Sequence, residues 1–295
     1  MEKYLGIDIG GTKCAVIIGD ENGDVLKKVS FKTTAFQETL NKIFEVSDEL
    51  FDDDILAIGI SCGGPLDSKK GIIMSPACLQ DWIDVHIVDI FEKRYQRPTY
   101  LKNDADACAI AEWKWGNGVG YRNVVFLTFG TGMGAGLIID NHPYSGTNDL
   151  AGEVGHIRLH NKGHIGCRKA GSFEGCCSGK GIFQYGYGTA KEIAEKARRG
   201  DKKAISIYKQ VGRDLGKGLS IIIDILNPEI IIIGSIYSRS GELMNKEMMK
   251  VLKKEALSLS LSAVKILPAK LGDSIGDKAA LSIAFDGYHQ GDKNG

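Results

Sequence analysis

Two glycine-rich strand–turn–strand segments, one at the N-terminus and one in the middle of the chain, constrain the fold more than any other feature. Tyr4 to Ile9 and Thr12 to Ile18 read as strands joined at Gly10-Gly11, and a third strand, Val25 to Lys32, follows the Asp-Glu-Asn-Gly turn. The spacing recurs where Asn123 to Phe129 and Ala135 to Ile139 flank Gly130-Thr131-Gly132-Met133-Gly134. Such a repeat predicts an α/β chain of two similar lobes, each a β-meander followed by helix and strand units. The boundaries fall at residues 1–117 and 118–275, with a cleft between the lobes whose closure excludes water.

The first turn, Asp8-Ile9-Gly10-Gly11-Thr12-Lys13, combines a carboxylate, two residues without Cβ, a hydroxyl and an ammonium. Glycine lets backbone N–H groups approach phosphate oxygens, Thr12 and Lys13 can bond them, and Asp8 can hold a hydrated Mg²⁺. A lone Gly-Gly is equally a plain hairpin turn, and the spacing of a Walker A loop is absent. The second turn offers Gly130, Thr131 and Gly132 for the same purpose.

Between the hairpins, a helix is predicted over Phe36 to Leu50, with Thr34 and Gln37 as its capping box. The strand Ile55 to Ser61 then enters Cys62-Gly63-Gly64-Pro65, whose bare backbone suits a polar ligand. After a helix around Val88 to Arg94, the strand Thr99 to Leu101 delivers Asn103-Asp104 to an Ala-rich helix, Ala105 to Trp115. A carboxylate at a helix N-terminus is held ionised by the macrodipole, which makes Asp104 the candidate general base for a substrate hydroxyl. The plainer alternative is that Asn103 and Asp104 only cap the helix.

Downstream, Gly152-Glu153-Val154-Gly155-His156 places a carboxylate and an imidazole three residues apart, and Glu174 follows with Ser178-Gly179 behind it. Fixed polar groups of this kind recognise polyols, because an unpaired buried hydroxyl partner is costly on either side. His156 alone reads as a structural histidine; together with Glu153, Glu174, Asn103 and Asp104 it makes a sugar site. Ile205, Tyr208, Val211, Leu215, Leu219, Ile222 and Leu226 form a helical core stripe, and Ile230 to Ile233 a buried strand.

Composition narrows the partners. Of 295 residues, 37 are Lys or Arg and 37 Asp or Glu, so no basic excess points to nucleic acid or an anionic membrane surface. The longest apolar run, Leu219 to Gly234, is broken by Asp224 and by Asn227-Pro228-Glu229 and is not a membrane span. Seven cysteines, with Cys14, Cys62, Cys78 and Cys108 inside apolar segments as small core residues, fit a reducing cytoplasm. No signal peptide is read at the N-terminus.

These motifs together resemble the ROK family (repressors, open reading frames and sugar kinases) of the actin, hexokinase and heat-shock ATPase superfamily, whose lobes have a ribonuclease H-like fold. The resemblance runs from Tyr4 to about Ala284. It rests on Gly6-Ile7-Asp8-Ile9-Gly10-Gly11-Thr12-Lys13, on Asn103-Asp104-Ala105 with Glu112-Trp113, on Gly130 to Gly136, on Gly152 to His156, and on Asn227-Pro228-Glu229 leading to Gly234. It implies an ATP-dependent hexose kinase, most simply of glucose, with N-acetylmannosamine, fructose or allose as competing substrates. Asp104 is then the base toward the γ-phosphate of Mg-ATP, while Asn103, Glu153, His156 and Glu174 hold the sugar beside Gly64. Asp8, Gly10, Gly11, Thr12, Lys13, Gly130, Thr131 and Gly132 hold phosphates and Mg²⁺, and Gly234 with the segment Gly272 to Ala280 lies near the adenosine. The resemblance also implies that a helix over residues 276–286 crosses back to the first lobe and that the chain forms a homodimer; the polar composition of 287–295 reads as a loose tail.

Departures from the family pattern sharpen the expectations. Its zinc site joins the histidine matched by His156 to three cysteines in a C-x-C-x₄-C pattern, and here those positions are Ile165, Cys167 and Ser172. Zinc of the usual kind is not expected, since a structural site wants a closed set of four ligands. His160, His164, Cys176 and Cys177 remain as donors for an unorthodox site, although scattered Cys and His usually fail the geometric tests. Cys78-Leu79 stands where many members carry Asn-Leu before a tryptophan, here Trp82, removing one amide contact to the sugar. A third departure is Ser235 in place of the second glycine after the Asn-Pro strand.

Two rival classes remain: a transcriptional regulator and a sugar-binding protein without catalysis. A regulator carries a DNA-reading domain ahead of the kinase-like part, and the first phosphate strand begins at Tyr4.

Overall fold

The computed structural model describes residues 1–291. Its contacts divide the chain into two compact units: Met1–Val119 with Pro143–Ala151 and the segment from Asp273 onward, and Gly120–His142 with Gly152–Gly272.

In the first unit, β1 (Lys3–Ile9), β2 (Lys13–Asp20) and β3 (Val25–Lys32) form the expected meander. Helix α1 (Phe36–Leu50), β4 (Ile55–Cys62), α2 (Ile87–Tyr95), β5 (Thr99–Asn103) and α3 (Asp104–Trp115) follow. The strands form one sheet in the order β3-β2-β1-β4-β5, with β1, β4 and β5 parallel. Asp8, Ser61 and Lys102 stand in register across the three parallel strands, and Ile9, Cys62 and Asn103 form the next row. The strands therefore end together, and Gly10, Gly63 and Asp104 leave from one edge of the sheet. Ligands of open α/β sheets bind outside such carboxyl ends.

The second unit repeats the plan. Strands β6 (Val124–Phe129), β7 (Met133–Ile139) and the short β8 (His142–Pro143) are followed by α4 (Phe173–Cys177), α5 (Gly179–Phe183), α6 (Ala190–Arg198) and α7 (Lys202–Leu226). Then come β9 (Ile230–Ile233), α8 (Ile236–Ser240), α9 (Asn245–Glu255), α10 (Ser258–Ala263) and β10 (Lys265–Pro268). The sheet order β8-β7-β6-β9-β10 matches that of the first unit position by position. The core stripe read in the sequence lies along α7, and all four residues of β9 are fully buried between parallel neighbours.

Helix α11 (Ile275–Gly291) belongs to the first unit, where it lies against β1, β4 and α3. It continues past residue 287, where a loose tail was expected. Gly287 lies against the Tyr100 ring, where a Cβ would come within 2.5 Å, and the His289 ring reaches the Tyr4 hydroxyl at 3.2 Å. Residues 292–295 of that tail lie outside the described residues.

Three further local expectations differ. The N-cap of α1 is Ala35 without a side-chain bond, and the Thr34 N–H donates to Thr39 Oγ1, so Thr34 and Gln37 make no capping box. Cys78, read as a core residue, is exposed, because its apolar neighbours belong to a loop folded around the fully buried Trp82. The segment Pro143–Ala151 clusters with the first unit, where the Ser145 hydroxyl donates to Asp106 at 2.8 Å and Ser68 donates twice to Asp149 at 2.7 Å.

Candidate functional site

In the first unit the sheet edge gathers carboxylates. Asn103 ends β5 and caps α3, its Oδ1 accepting the Ala105 N–H at 2.9 Å. That cap engages the amide oxygen and leaves the Nδ2 donor directed at Gly64, where a Cβ would lie 3.2 Å from it. Both readings of Asn103 are thereby compatible: the oxygen fixes the helix start, and the NH₂ group faces the glycine turn. Asp104 occupies the first helical position and is solvent-exposed, so the N-terminal dipole acts on a carboxylate that a substrate can reach.

Asp8 lies on the same edge, and its carboxyl is pushed up to about 6, chiefly by burial and then by the Asp104 and Asp277 charges, against Lys13 and Lys28. Gly276, at the start of α11, comes so close that its Cβ would lie 3.6 Å from Asp8 Oδ2. A site where acidic groups raise one another's proton affinity suits a hydrated divalent cation of the Mg²⁺ type. Asp106, two residues along α3, is likewise pushed up to about 6 by burial, partly offset by the Ser145 hydroxyl and Lys102.

The glycine tip of this unit is closed by the Gly10 N–H donating to the Lys13 carbonyl at 3.2 Å, with Gly11, Thr12 and Lys13 exposed. Cys78, at the position of the missing amide, packs here: a Cβ on Gly11 would lie 2.5 Å from Cys78 Cβ. A thiol thus fills the space against Gly11, and it forms weaker hydrogen bonds than an amide.

In the second unit the corresponding tip is fastened from behind. Gly130 N–H donates to the Gly132 carbonyl at 3.2 Å, Gly179 N–H to the Gly130 carbonyl at 2.8 Å, and Lys180 N–H to the Thr131 carbonyl at 3.2 Å. Glu174 completes the fastening: Oε2 accepts from Met133 N–H at 3.2 Å and Oε1 from Cys167 N–H at 2.9 Å. Each oxygen retains lone-pair capacity, but the carboxylate is oriented by the hairpin, a role that sequence reasoning did not assign it. Glu153 and His156 stand beside each other, Oε2 to Nε2 3.8 Å apart, with both side chains half-exposed.

Next to Gly130 and Thr131 lies a cavity of about 820 Å³ lined by Lys180, Phe183, Lys191, Ala194, Arg198, Tyr208, Ser235, Ile236 and Arg239, among others. This volume lies within the usual range of small-molecule pockets. Gly234 leads into it, its N–H donating to the Leu127 carbonyl at 2.9 Å and its bare Cα lying against the Phe126 ring. Ser235 adopts φ +53 at the start of α8, in the left-handed region that glycine favours. Most of this lining comes from α5, α6 and α8, of whose residues only Gly179 was singled out from the sequence.

The usual zinc set of the family does not fit. Ile165 has no donor atom and is exposed, and the Ser172 hydroxyl is buried and committed, donating to the Gly166 carbonyl at 2.8 Å and accepting from Gly175 N–H at 3.0 Å. Cys167 remains, its thiol pushed up to about 11 mainly by burial and then by Glu174. Two ligands at most, His156 and Cys167, do not make a closed tetrahedral site.

A duplicated sheet with two glycine tips and an acidic strand-end edge marks the actin-like ATPase architecture, and the comparisons name the branch. The ROK family model matches residues 4–286, and the chain belongs to the ROK family. It is 30% identical to a glucokinase from Streptomyces coelicolor, over 96% of this chain and 98% of that one. A xylose repressor from Caldicellulosiruptor bescii is 26% identical over 92% of this chain and 75% of its own length. Among solved structures, a ROK family glucokinase from Streptomyces griseus, in complex with glucose and AMPPNP, aligns with a TM-score of 0.78 and 29% identity, covering 96% of this chain and 99% of that one. No helix among the described residues is long and apolar enough to cross a membrane.

Proposed function

We propose that the protein transfers the γ-phosphoryl group of ATP to a hexose hydroxyl, with glucose or a near relative as acceptor. The observation that carries the reading is Asp104: an exposed carboxylate on the first turn of α3, at the edge where β1, β4 and β5 end, with Asp8 and its raised proton affinity beside it. Asp104 takes the hydroxyl proton as the oxygen attacks phosphorus, and Asn103 Nδ2, Glu153 and His156 bond sugar hydroxyls. Lys13, Thr12 and Thr131, with the backbone of the glycine tips, stabilise the transferring group, and the cavity beside Gly130 receives the nucleoside. Asp8 would hold hydrated Mg²⁺, which would supply neutralisation of phosphate charge. Glu174 acts by orienting the second tip. Catalysis is then mostly positioning and electrostatics, as in phosphoryl transfer generally. The glucokinase relative from Streptomyces coelicolor and the glucose-bound relative from Streptomyces griseus support this reading.

The test is Asp104→Asn. Loss of a general base predicts turnover lower by about 100-fold or more, with sugar binding by calorimetry retained. Near wild-type turnover removes Asp104 from the role. A sugar sensor is the second reading, favoured by the repressor relative and by Cys78 in place of an amide.

A further inference from the structure

The loop from Ile157 to Ser172 carries two vacated family zinc positions, Ile165 and Ser172, yet a different set of donors converges beneath it. His160 lies on that loop, Cys176 on α4 and Asp214 in the middle of α7, and one ligand atom from each lies within 4.8 Å of the other two. His160 Nε2 is 2.7 Å from Asp214 Oδ1, and Gln210 Nε2 donates to both Asp214 oxygens at 3.0 Å. Asp214 is 3% and Cys176 6% exposed. Among the described residues the Cys176 thiol has no hydrogen-bond partner, and its buried sulfur lies within the cluster of ligating atoms. A cavity of about 250 Å³, lined also by His164, Tyr185 and Lys162, opens onto the same three residues.

From this geometry we infer that His160, Cys176 and Asp214 bind one zinc ion, with water from the cavity as fourth ligand. An imidazole, a thiolate and a carboxylate are the donor types zinc takes, and mixed N, S and O donors disfavour magnesium and calcium. Charge supports the assignment: one thiolate and one carboxylate neutralise a divalent cation, so the buried site carries no net charge. Binding transfers the thiol proton to solvent and places the imidazole in its Nδ1–H tautomer, so that the metal replaces the proton now shared between Nε2 and Asp214 Oδ1. Gln210 is the outer partner, holding the carboxylate from the preceding turn of α7 and itself held by Arg213, which donates to Gln210 Oε1 at 2.7 Å. The ion fastens the loop after His156 to α7 and to α4, the helix that carries Glu174. The inference does not rest on the kinase reading.

The test is cobalt(II) binding to the intact, chelator-stripped protein, followed by absorption and then by zinc competition. The expected result is one ion per chain with a sulfur-to-cobalt charge-transfer band that zinc removes. The band is lost in Cys176→Ser and kept in Cys167→Ser. Should Cys176→Ser not fold, Asp214→Asn serves, with zinc affinity expected to fall by about 10-fold or more, as for loss of a ligand or its support. Absence of stoichiometric binding overturns the site. So does a band that survives Cys176→Ser, one that disappears in Cys167→Ser, or an unchanged affinity in Asp214→Asn.

Discussion

The two sheets share one strand order and are built in different ways. In the first unit, α11 lies backbone to backbone on glycine: Gly6 and Gly59 are register partners on β1 and β4, and a Cβ on Gly59 would lie 2.2 Å from the Ala280 carbonyl oxygen. In the second, the equivalent central strand β9 is four isoleucines packed by side chains. The strand ends differ in the same sense. The first unit leaves carboxylates there with raised proton affinity, whereas in the second Glu174 is bonded by backbone N–H groups on both oxygens. Duplication fixed the frame, and the chemistry was divided: one edge keeps reactive groups at an electrostatic cost, the other spends its carboxylate on orientation.

The largest effect is expected where the first sheet has no room. Gly59→Ala forces its Cβ onto the α11 backbone and should cost about 3 kcal/mol, as overpacking of a tight core does. Chemical denaturation measures it, and an unchanged midpoint would show that α11 is not seated on this strand. Next is Glu174→Gln, whose amide meets one backbone N–H with its own NH₂ group. It should cost about 2 kcal/mol, in the range of charge-assisted hydrogen bonds, and weaken nucleotide binding. A variant as stable as wild type would make Glu174 a ligand group and not a fastener.

The smallest has the opposite sign. Because the Asp106 carboxyl is raised from 3.8 to about 6, its contribution to stability is full below pH 3.8 and is lost as pH rises through 6. Asp106→Asn does not titrate and can still accept from Ser145. It should therefore be more stable than wild type by about 1 kcal/mol at pH 7.5, a gain that vanishes toward pH 4. Thermal melts across that range decide; a variant destabilised at pH 7.5 would mean that the ionised carboxylate is well compensated.

Much of this was legible in the chain because it is local. Ile230 to Ile233 read as a buried strand and is one, and Asn103 read as a cap or a ligand and does cap. The meander and its repeat followed from alternation and glycine spacing. What escaped depends on partners distant in sequence. The bond from the Met133 N–H to Glu174 joins residues 41 apart, and the pairing of His160 with Asp214 spans 54. Cys78 was misjudged because apolar neighbours signal a core segment, whereas here they wrap Trp82 and leave the thiol outside. The capping box at Thr34 failed because Thr39 competes for the Thr34 N–H. The cavity beside Gly130 is lined by amphipathic helices whose exposed sides carry ordinary lysines, threonines and arginines, with no motif to mark them.

The central claim is that the carboxylate edge of the first unit serves phosphoryl transfer to a sugar. Its most direct test is ADP release by the wild-type protein with Mg-ATP against glucose, N-acetylmannosamine, N-acetylglucosamine, mannose, fructose and allose. The account predicts sugar-dependent ADP formation, strongest with glucose or one close relative. No ADP above background with any of them, while calorimetry still registers a bound sugar, would contradict it and make the protein a sensor.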